Sequence, residues 1–294
     1  MTPAKFVFLG CDAPLAVATL EALLHHGQKP QAVIIAGPAP PPAAPLELPI
    51  TTHDALSGLS TLHDVPVRYS GDDNDTAIAA SLPQRLELVV VACLGSILSS
   101  ATLARARHGF VNVHPSRLPS YRGPAPMFWQ LRDGHFLSGV SVHRMDSGID
   151  TGPLLVQANF ALPLGINEIV AEALAGTAVG APLADALQAW PNLHFGAQAS
   201  THSSYQSHPS DQAFSIDARD WSGRRAYHFM RGTQWRRRLY TVHANAWTAH
   251  ATAAVELRDE QVAQPTPLNS NTLLLPFADG SLLVRGALTA GGAV

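Results

Sequence analysis

Lys5-Phe-Val-Phe-Leu-Gly10 is a short apolar run that ends on glycine. An amphipathic segment follows from Ala16 through Leu20, Leu23 and Leu24, closed by Gly27, and then a second apolar run, Gln31-Ala-Val-Ile-Ile-Ala36. Strand, helix and strand in so short a span predict a βαβ unit, and with it an open, mainly parallel sheet of α/β class. Working outward, Asp75–Leu82 reads as helix, and Leu86-Glu-Leu-Val-Val-Val-Ala92 is the most β-rich run, expected at the centre of the sheet. Phe110-Val-Asn-Val-His114 and Gly139-Val-Ser-Val-His143 read as further strands. Gly37-Pro-Ala-Pro-Pro-Pro-Ala-Ala-Pro45 is a loop of polyproline character, because proline lacks the donor that helices and inner strands need.

Beyond Gln157 the pattern thins. Ile166–Ala189 predicts one long helix with breaks expected at Gly176 or Gly180. Gly196–Pro209 is rich in Ser, Gln, His and Thr and reads as a linker. Tyr240–Val242, Ala251–Leu257, Thr272–Pro276 and Ser281–Val284 read as short strands. The expected organisation is an α/β domain over 1–195, a linker over 196–212 and a smaller, mainly β domain over 213–294, without internal repeats.

The totals agree with that division. A chain of 294 residues is long enough for one sizeable core and a lesser one. With 46% hydrophobic and 14% charged residues it has the composition of a folded globular protein. A net charge of −3 argues against a general nucleic-acid binder. Cys11 and Cys93 are the only cysteines, which argues against a disulfide framework and fits a cytoplasmic setting. Phe6–Gly10 is too short for a signal-peptide core, and no later stretch reads as a membrane span.

Polar and rigid residues concentrate in Asn112-Val-His114-Pro-Ser-Arg-Leu-Pro-Ser-Tyr-Arg-Gly123. Asn112 and His114 are two apart on a strand, so they share a face, at the C-terminal end where open parallel sheets place their ligands. Downstream, Met145-Asp146-Ser-Gly148-Ile-Asp150-Thr-Gly152 packs two aspartates and two glycines into one turn, as a loop passing close to a ligand requires. Asn, His and Asp together suit acyl transfer to an amine. Asn and protonated His can donate to the oxygen of a tetrahedral intermediate, while Asp orients the imidazole and helps to move protons. No side-chain nucleophile is needed, since the amine attacks directly. Taken alone, these features fit an ordinary strand end and turn equally well, in a chain with 14 histidines.

Asn112–Gly123, then Gly134, then Asp146–Gly152, resemble the signature of the formyltetrahydrofolate-using transferases. These include methionyl-tRNA, glycinamide ribonucleotide and sugar N-formyltransferases. The patterns Asn-x-His-Pro-Ser-x-Leu-Pro-x-x-x-Gly and Asp-x-Gly-x-Asp-x-Gly are both present, and the step from His114 to Asp150 agrees with the family's spacing. Phe6–Leu24 and Val89–Leu98 match more loosely but collinearly. The resemblance implies a Rossmann-like formyltransferase core, catalysis by Asn112, His114 and Asp150, and 10-formyltetrahydrofolate as formyl donor. It also implies that Leu94, Ser96, Ile97 and Leu98 cradle the pterin, with Asp146, Ser147 and Gly148 as the opposite wall. No metal is implied. Ile216-Asp-Ala-Arg-Asp-Trp221 and His228-Phe-Met-Arg-Gly232 resemble the opening of the OB-like C-terminal domain of tRNA and sugar formyltransferases, although the family's proline after the Trp is missing.

The acceptor is read from charge. The tRNA enzyme carries a basic insert after the second strand, whereas Gly37–Pro49 here has no Lys or Arg and includes Glu47. Arg219, Arg224, Arg225, Arg231 and Arg236–Arg238 oppose that argument as a phosphate-binding cluster, and fit a solvated helix face as well. Asp12 stands where a phosphate cradle would want glycine or serine, which disfavours a purine precursor. The expected acceptor is the amine of a small molecule, either an amino sugar on a nucleotide or an amino-acid-derived metabolite. The alternatives are methionyl-tRNA, water in a hydrolase, or a non-catalytic folate-binding or nucleotide-binding module. No Gly-x-Gly-x-x-Gly follows the first strand, which argues against a nucleotide-dependent oxidoreductase.

Overall fold

The computed structural model describes residues 4–40, 55–244 and 246–289. The chain divides into two units. The first comprises Met1–Pro126, Ser138–Phe160 and Glu172–Tyr205, and the second Met127–Leu137, Ala161–Ala171 and Gln206–Val294. This differs from a simple split at a linker over 196–212. The second unit takes in two segments from the middle of the chain, and the first ten residues of the expected linker belong to the first unit.

The first unit is built on a seven-stranded sheet. Its strands are β1 (Phe6–Gly10), β2 (Ala32–Ile35), β3 (Val67–Tyr69), β4 (Leu88–Ala92), β5 (Phe110–His114), β6 (Leu137–Arg144) and β7 (Leu154–Ala161), in spatial order β3-β2-β1-β4-β5-β6-β7. β1 to β5 pair in parallel and β6 runs antiparallel to β5. β4 is the middle strand and every residue of it is buried, which is why it reads as an unbroken apolar run. The unit's helices are α1 (Pro14–His25), α2 (Leu56–Leu62), α3 (Asp75–Ser81) and α4 (Ser100–Leu103). Asp12, just past β1, accepts the N–H of Leu56 at 2.8 Å, so its carboxylate serves the first turn of α2.

Two helices include residues of the second unit. α5 (Pro126–Arg132) lies mostly in it, and α6 (Glu168–Gln188) begins in it. α6 continues through Gly176 and Gly180, where breaks were expected. The glycines serve packing instead: a Cβ on Gly176 would stand 2.6 Å from the carbonyl oxygen of Leu15 and 2.8 Å from the amide of Thr19 in α1. Contrary to the sequence reading, α6 is long and apolar enough, by length and composition, to cross a membrane. It nonetheless has the setting of a core helix, because Ala175, Val179, Leu183, Ala184 and Leu187 are buried with Phe6, Phe8, Val90 and Val111 in one cluster.

The second unit has a six-stranded sheet of β8 (Ser215–Asp217), β9 (Tyr240–Ala244), β10 (Trp247–Arg258), β11 (Thr266–Asn269), β12 (Thr272–Phe277) and β13 (Gly280–Leu288), in order β11-β12-β13-β10-β9-β8. The long helix α7 (Gly223–Thr233) begins at Ser222, whose hydroxyl accepts the N–H of Arg225 at 3.0 Å. Ser222, the residue directly after Trp221, thus supplies the cap of the helix. Phe128, Phe214, Trp221, Phe229 and Tyr240 form an aromatic core with ring centroids 5.3 to 6.1 Å apart.

Candidate active site

The antiparallel pairing of β5 with β6 sets the register of the site. Asn112 lies opposite His143, and His114 opposite Ser141. Cross-strand partners project from the same face, so His143 joins Asn112 beside the turn that carries Asp150. The turn then brings the carboxylate to all three. Asp150 Oδ2 is 3.5 Å from Nδ1 of His114, and Oδ1 is 3.3 Å from Nε2 of His143. Nδ2 of Asn112 is 3.4 Å from Oδ1 of Asp150 and 3.4 Å from Nε2 of His143. The expected trio is therefore together, with a second histidine that sequence reasoning passed over. Its only signal in the chain was its place at the end of a strand; the register that makes it a neighbour of Asn112 is tertiary.

Backbone groups complete the arrangement. The N–H of Gly123 donates to Oδ2 of Asp150 at 2.8 Å, and Nε2 of His114 donates to the carbonyl oxygen of Tyr121 at 2.8 Å. Nδ1 of His143 donates to the carbonyl oxygen of Arg144 at 2.9 Å. Asp150 and Tyr121 both have left-handed backbone, at φ 54° and 58°. Gly152 is required by close approach, since a Cβ there would overlap the carbonyl oxygen of Arg144 at 1.8 Å. Asp146 closes the same turn by accepting from Gly148 N–H at 3.0 Å and Thr151 Oγ1 at 2.8 Å.

The electrostatics separate the groups. Burial pushes the Asp150 carboxyl up. The hydrogen bond from His143, the charge of His114 and the Gly123 N–H outweigh that and bring it down to about 2. Burial lowers the imidazole of His114, which is 4% exposed, against the opposing pull of Asp150 and of the Tyr121 carbonyl. The site thus holds a fixed negative charge against an imidazole that gives up its proton readily.

The loop after β4 places its residues unequally. Leu98 is buried, and Leu94 packs against the same apolar cluster as Met145, so the two loops expected to face the pterin share one foundation. Ile97 is 78% exposed. The hydroxyl of Ser96 is taken up by Asp73, at 2.6 Å to its carbonyl and 2.8 Å to its carboxylate. Asp146, Ser147 and Gly148 are exposed. Among the described residues no group of three or more His, Cys, Asp or Glu is arranged to hold a metal.

The expected arginine cluster is largely engaged within the second unit. Arg236 pairs with buried Glu168, Arg225 with Asp133 and Arg238 with Asp211, while Arg219 forms a fork with Asp217. Arg224 lies over the ring of Phe136. In the loop after β2, residues 41–49 of the expected insert, including Glu47, lie outside the described residues.

A methionyl-tRNA formyltransferase of Pelobacter propionicus is 35% identical over 169 residues, covering 57% of this chain and 51% of that protein. One of Anaeromyxobacter dehalogenans is 36% identical over 186 residues, covering 63% and 58%. The chain spans about half the length of the curated relatives it matches. Among solved structures, a sugar 3N-formyl transferase described with dTDP and 5-N-formyl-THF superposes with a TM-score of 0.65 at 16% identity, over 99% of this chain and 100% of that one. An N-formyltransferase from Helicobacter canadensis, in complex with folinic acid and dTDP-3-aminofucose, gives 0.66 at 16% identity, over 97% and 99%. Methionyl-tRNA formyltransferase from Clostridium thermocellum gives 0.55 at 12% identity, over 98% and 100%. At such identities the likeness is one of fold. The formyl transferase family model matches residues 5–164, more than half of the sequence and the whole of the segment that carries Asn112, His114 and Asp150, so the chain belongs to that family.

Proposed function

We propose that this protein is an N-formyltransferase that moves a formyl group from 10-formyltetrahydrofolate to the amine of a small molecule, with Asn112, His114 and Asp150 as its catalytic residues. The observation that carries the reading is the convergence on one carboxylate: Asp150 lies 3.5 Å from His114 and 3.4 Å from Asn112. The donor supplies an activated formyl carbon on nitrogen. In the transfer the amine forms a bond to that carbon, the bond to the folate nitrogen breaks, and the amine's proton ends on the departing nitrogen.

The residues meet each demand of that exchange. The amide of Asn112 donates to the formyl oxygen as negative charge grows there. The Nε2–H of His114, which rests on the carbonyl of Tyr121, turns to the same oxygen. Asp150, ionised across the physiological range, stabilises the imidazolium form of His114 at the moment it is needed. Proton transfer between the two nitrogens falls to His114 and Asp150, the titratable members of the trio. The exposed Ile97, raised on a loop whose Leu98 is buried, suits a planar heterocycle laid across it, in keeping with a pterin cradle at Leu94, Ser96, Ile97 and Leu98. Asp146, Ser147 and Gly148, exposed on their own turn, would form the facing wall.

A small acceptor is favoured over tRNA because four of the seven clustered arginines, Arg219, Arg225, Arg236 and Arg238, are paired with acidic partners, and because Gly37–Pro49 has no basic residue. The fold likeness is higher to the sugar N-formyltransferases, at TM-scores of 0.65 and 0.66, than to the Clostridium thermocellum methionyl-tRNA enzyme at 0.55. The catalytic half's identity to methionyl-tRNA formyltransferases keeps that acceptor as the second reading. The test is incubation with 10-formyltetrahydrofolate and nucleotide-linked amino sugars, free amino acids or charged initiator tRNA, following tetrahydrofolate release and the mass of the product. Formylated initiator tRNA would overturn the acceptor assignment. Release with water alone would replace transfer by hydrolysis.

A further inference from the structure

The segment 196–205 contains none of the residues that the proposed chemistry uses, yet it is hydrogen-bonded to both loops that frame the candidate trio. Gly196 exchanges N–H and carbonyl bonds with Leu154, at 2.7 and 2.8 Å, just past the Asp150 turn. The side-chain amide of Gln198 then donates twice, to the carbonyl oxygen of Asp150 at 2.8 Å and to that of Gly152 at 2.7 Å. Its own oxygen accepts from Arg122 at 2.6 Å, and Arg122 also reaches the hydroxyl of Ser203 at 3.0 Å. Further on, Ser204 accepts the N–H of Tyr121 on its hydroxyl at 2.8 Å and that of Arg122 on its carbonyl at 3.0 Å, while its own N–H donates to Pro119 at 3.1 Å.

Two of the residues held in this way have left-handed backbone. Asp150 at φ 54° presents the carboxylate, and Tyr121 at φ 58° presents the carbonyl on which Nε2 of His114 rests. A side chain other than glycine leaves that conformation readily unless its surroundings hold it. Gln198 holds the first through its carbonyl oxygen, and Ser204 holds the second through its N–H. Gln198 is suited to the task because a single amide nitrogen carries two hydrogens, one for each of two carbonyls on the same turn.

We infer that Gln198 and Ser204 are positioning residues, which fix the distance between the carboxylate of Asp150 and the imidazole of His114 by clamping the strained backbone on either side of the pair. The assignment of a catalytic purpose to that distance rests on the formyltransferase reading, but the clamp itself can be tested without it.

The experiment is histidine-labelled NMR titration of the whole chain, with the His114 resonance identified by its loss in His114→Ala. Gln198→Leu keeps the bulk and removes both donors, and should move the His114 midpoint to lower pH, because a loosened carboxylate supports the imidazolium less. Ser204→Ala should move it in the same direction by freeing the Tyr121 carbonyl, and serves as the second variant if Gln198→Leu does not fold. With 10-formyltetrahydrofolate and an accepted amine, each variant should lose at least tenfold in kcat with KM for the donor little changed. An unmoved His114 midpoint in folded variants overturns the positioning role, whatever happens to turnover. If the midpoint moves but no amine is formylated by the unaltered protein, the clamp stands and the transferase reading fails.

Discussion

Nε2 of His143 stands 3.3 Å from Oδ1 of Asp150, nearer than the imidazole of His114 stands to the other oxygen of that carboxylate. His143 is 2% exposed, and its remaining nitrogen is tied to the carbonyl of Arg144. Its hydrogen bond is the strongest of the influences that lower the Asp150 carboxyl. Replacing it with phenylalanine keeps an aromatic ring and removes that donor. His143→Phe should therefore raise the Asp150 midpoint and cut turnover by about tenfold, the equivalent of about 1.4 kcal/mol in the barrier. Carboxyl-labelled NMR and single-turnover rates check the two halves separately.

Removal of the trio itself should be far more costly. His114→Ala and Asp150→Ala are each expected to lower single-turnover formyl transfer by several orders of magnitude. Asn112→Ala should lower it by about 10²–10³-fold, as loss of one oxyanion donor does elsewhere. Near-normal rates in any of the three would remove that residue from the proposed chemistry.

The pH dependence of stability has two windows. Asp150 has its carboxyl at about 2 against an ordinary 3.8, so the folded state binds its proton less readily than the unfolded state. That contribution, about 2 kcal/mol, is complete above pH 3.8 and is lost as pH falls through 3.8 towards 2. His114 and His228 are lowered from 6.5, each first by burial. For a base lowered on folding, the unfolded state again binds more protons. Their contribution is complete above 6.5 and declines as pH drops below it. His228 illustrates the cause: its Nδ1 accepts the N–H of Gly165 at 3.0 Å while Nε2 donates to the carbonyl of His135 at 3.0 Å, a pairing that only the neutral ring can make. Urea midpoints measured from pH 8 to 5 should fall, and His228→Gln should flatten part of the slope.

In the second unit, Glu168 is 1% exposed and receives Arg236 at 2.7 and 2.8 Å, and Trp235 Nε1 at 2.9 Å. Removing only the cation leaves a carboxylate buried without its charge partner. Arg236→Met should cost about 3–5 kcal/mol, whereas Arg236→Met with Glu168→Leu should recover most of that loss. Chemical denaturation of the single and double variants decides it; equal losses in both would show that the pair's charge balance is not the issue.

Gly176→Ala tests the packing of α6 on α1. An added methyl meets backbone atoms of Leu15 and Thr19 inside 3 Å, and backbone cannot step aside as a flexible side chain does. A loss of about 1–3 kcal/mol is expected despite the better helix propensity of alanine. A rise in the thermal midpoint would contradict the close approach.

Much of the sheet was legible because buried parallel strands are continuous apolar runs. Phe6–Gly10, Ala32–Ile35 and Leu88–Ala92 announce themselves in this way, and Phe110–His114 does so by its alternation of apolar residues with Asn112 and His114. β7 did not, because it lies at the edge of the sheet and its half-buried residues mix Gln157 and Asn159 with apolar ones. β8 and β11 are only three and four residues long, too short for any period to show. The helix breaks expected at Gly176 and Gly180 failed for a different reason. Glycine weakens an isolated helix, but in α6 it is what lets a second helix come close.

The linear order of residues determined that Asn112 and His114 share one face of a strand, since alternation along a strand depends on nothing distant. It also carried the family motifs around them and the acidic, glycine-rich turn that follows. Only the tertiary structure decided that Asp150 faces both histidines, that His143 is Asn112's cross-strand partner, and that Gln198 is hydrogen-bonded to the backbone of the Asp150 turn. It decided, too, that the arginines of the second unit are largely engaged with acidic groups and aromatic rings. Strand register and the return of a polar segment depend on contacts between residues far apart in the chain, and no local pattern encodes such contacts.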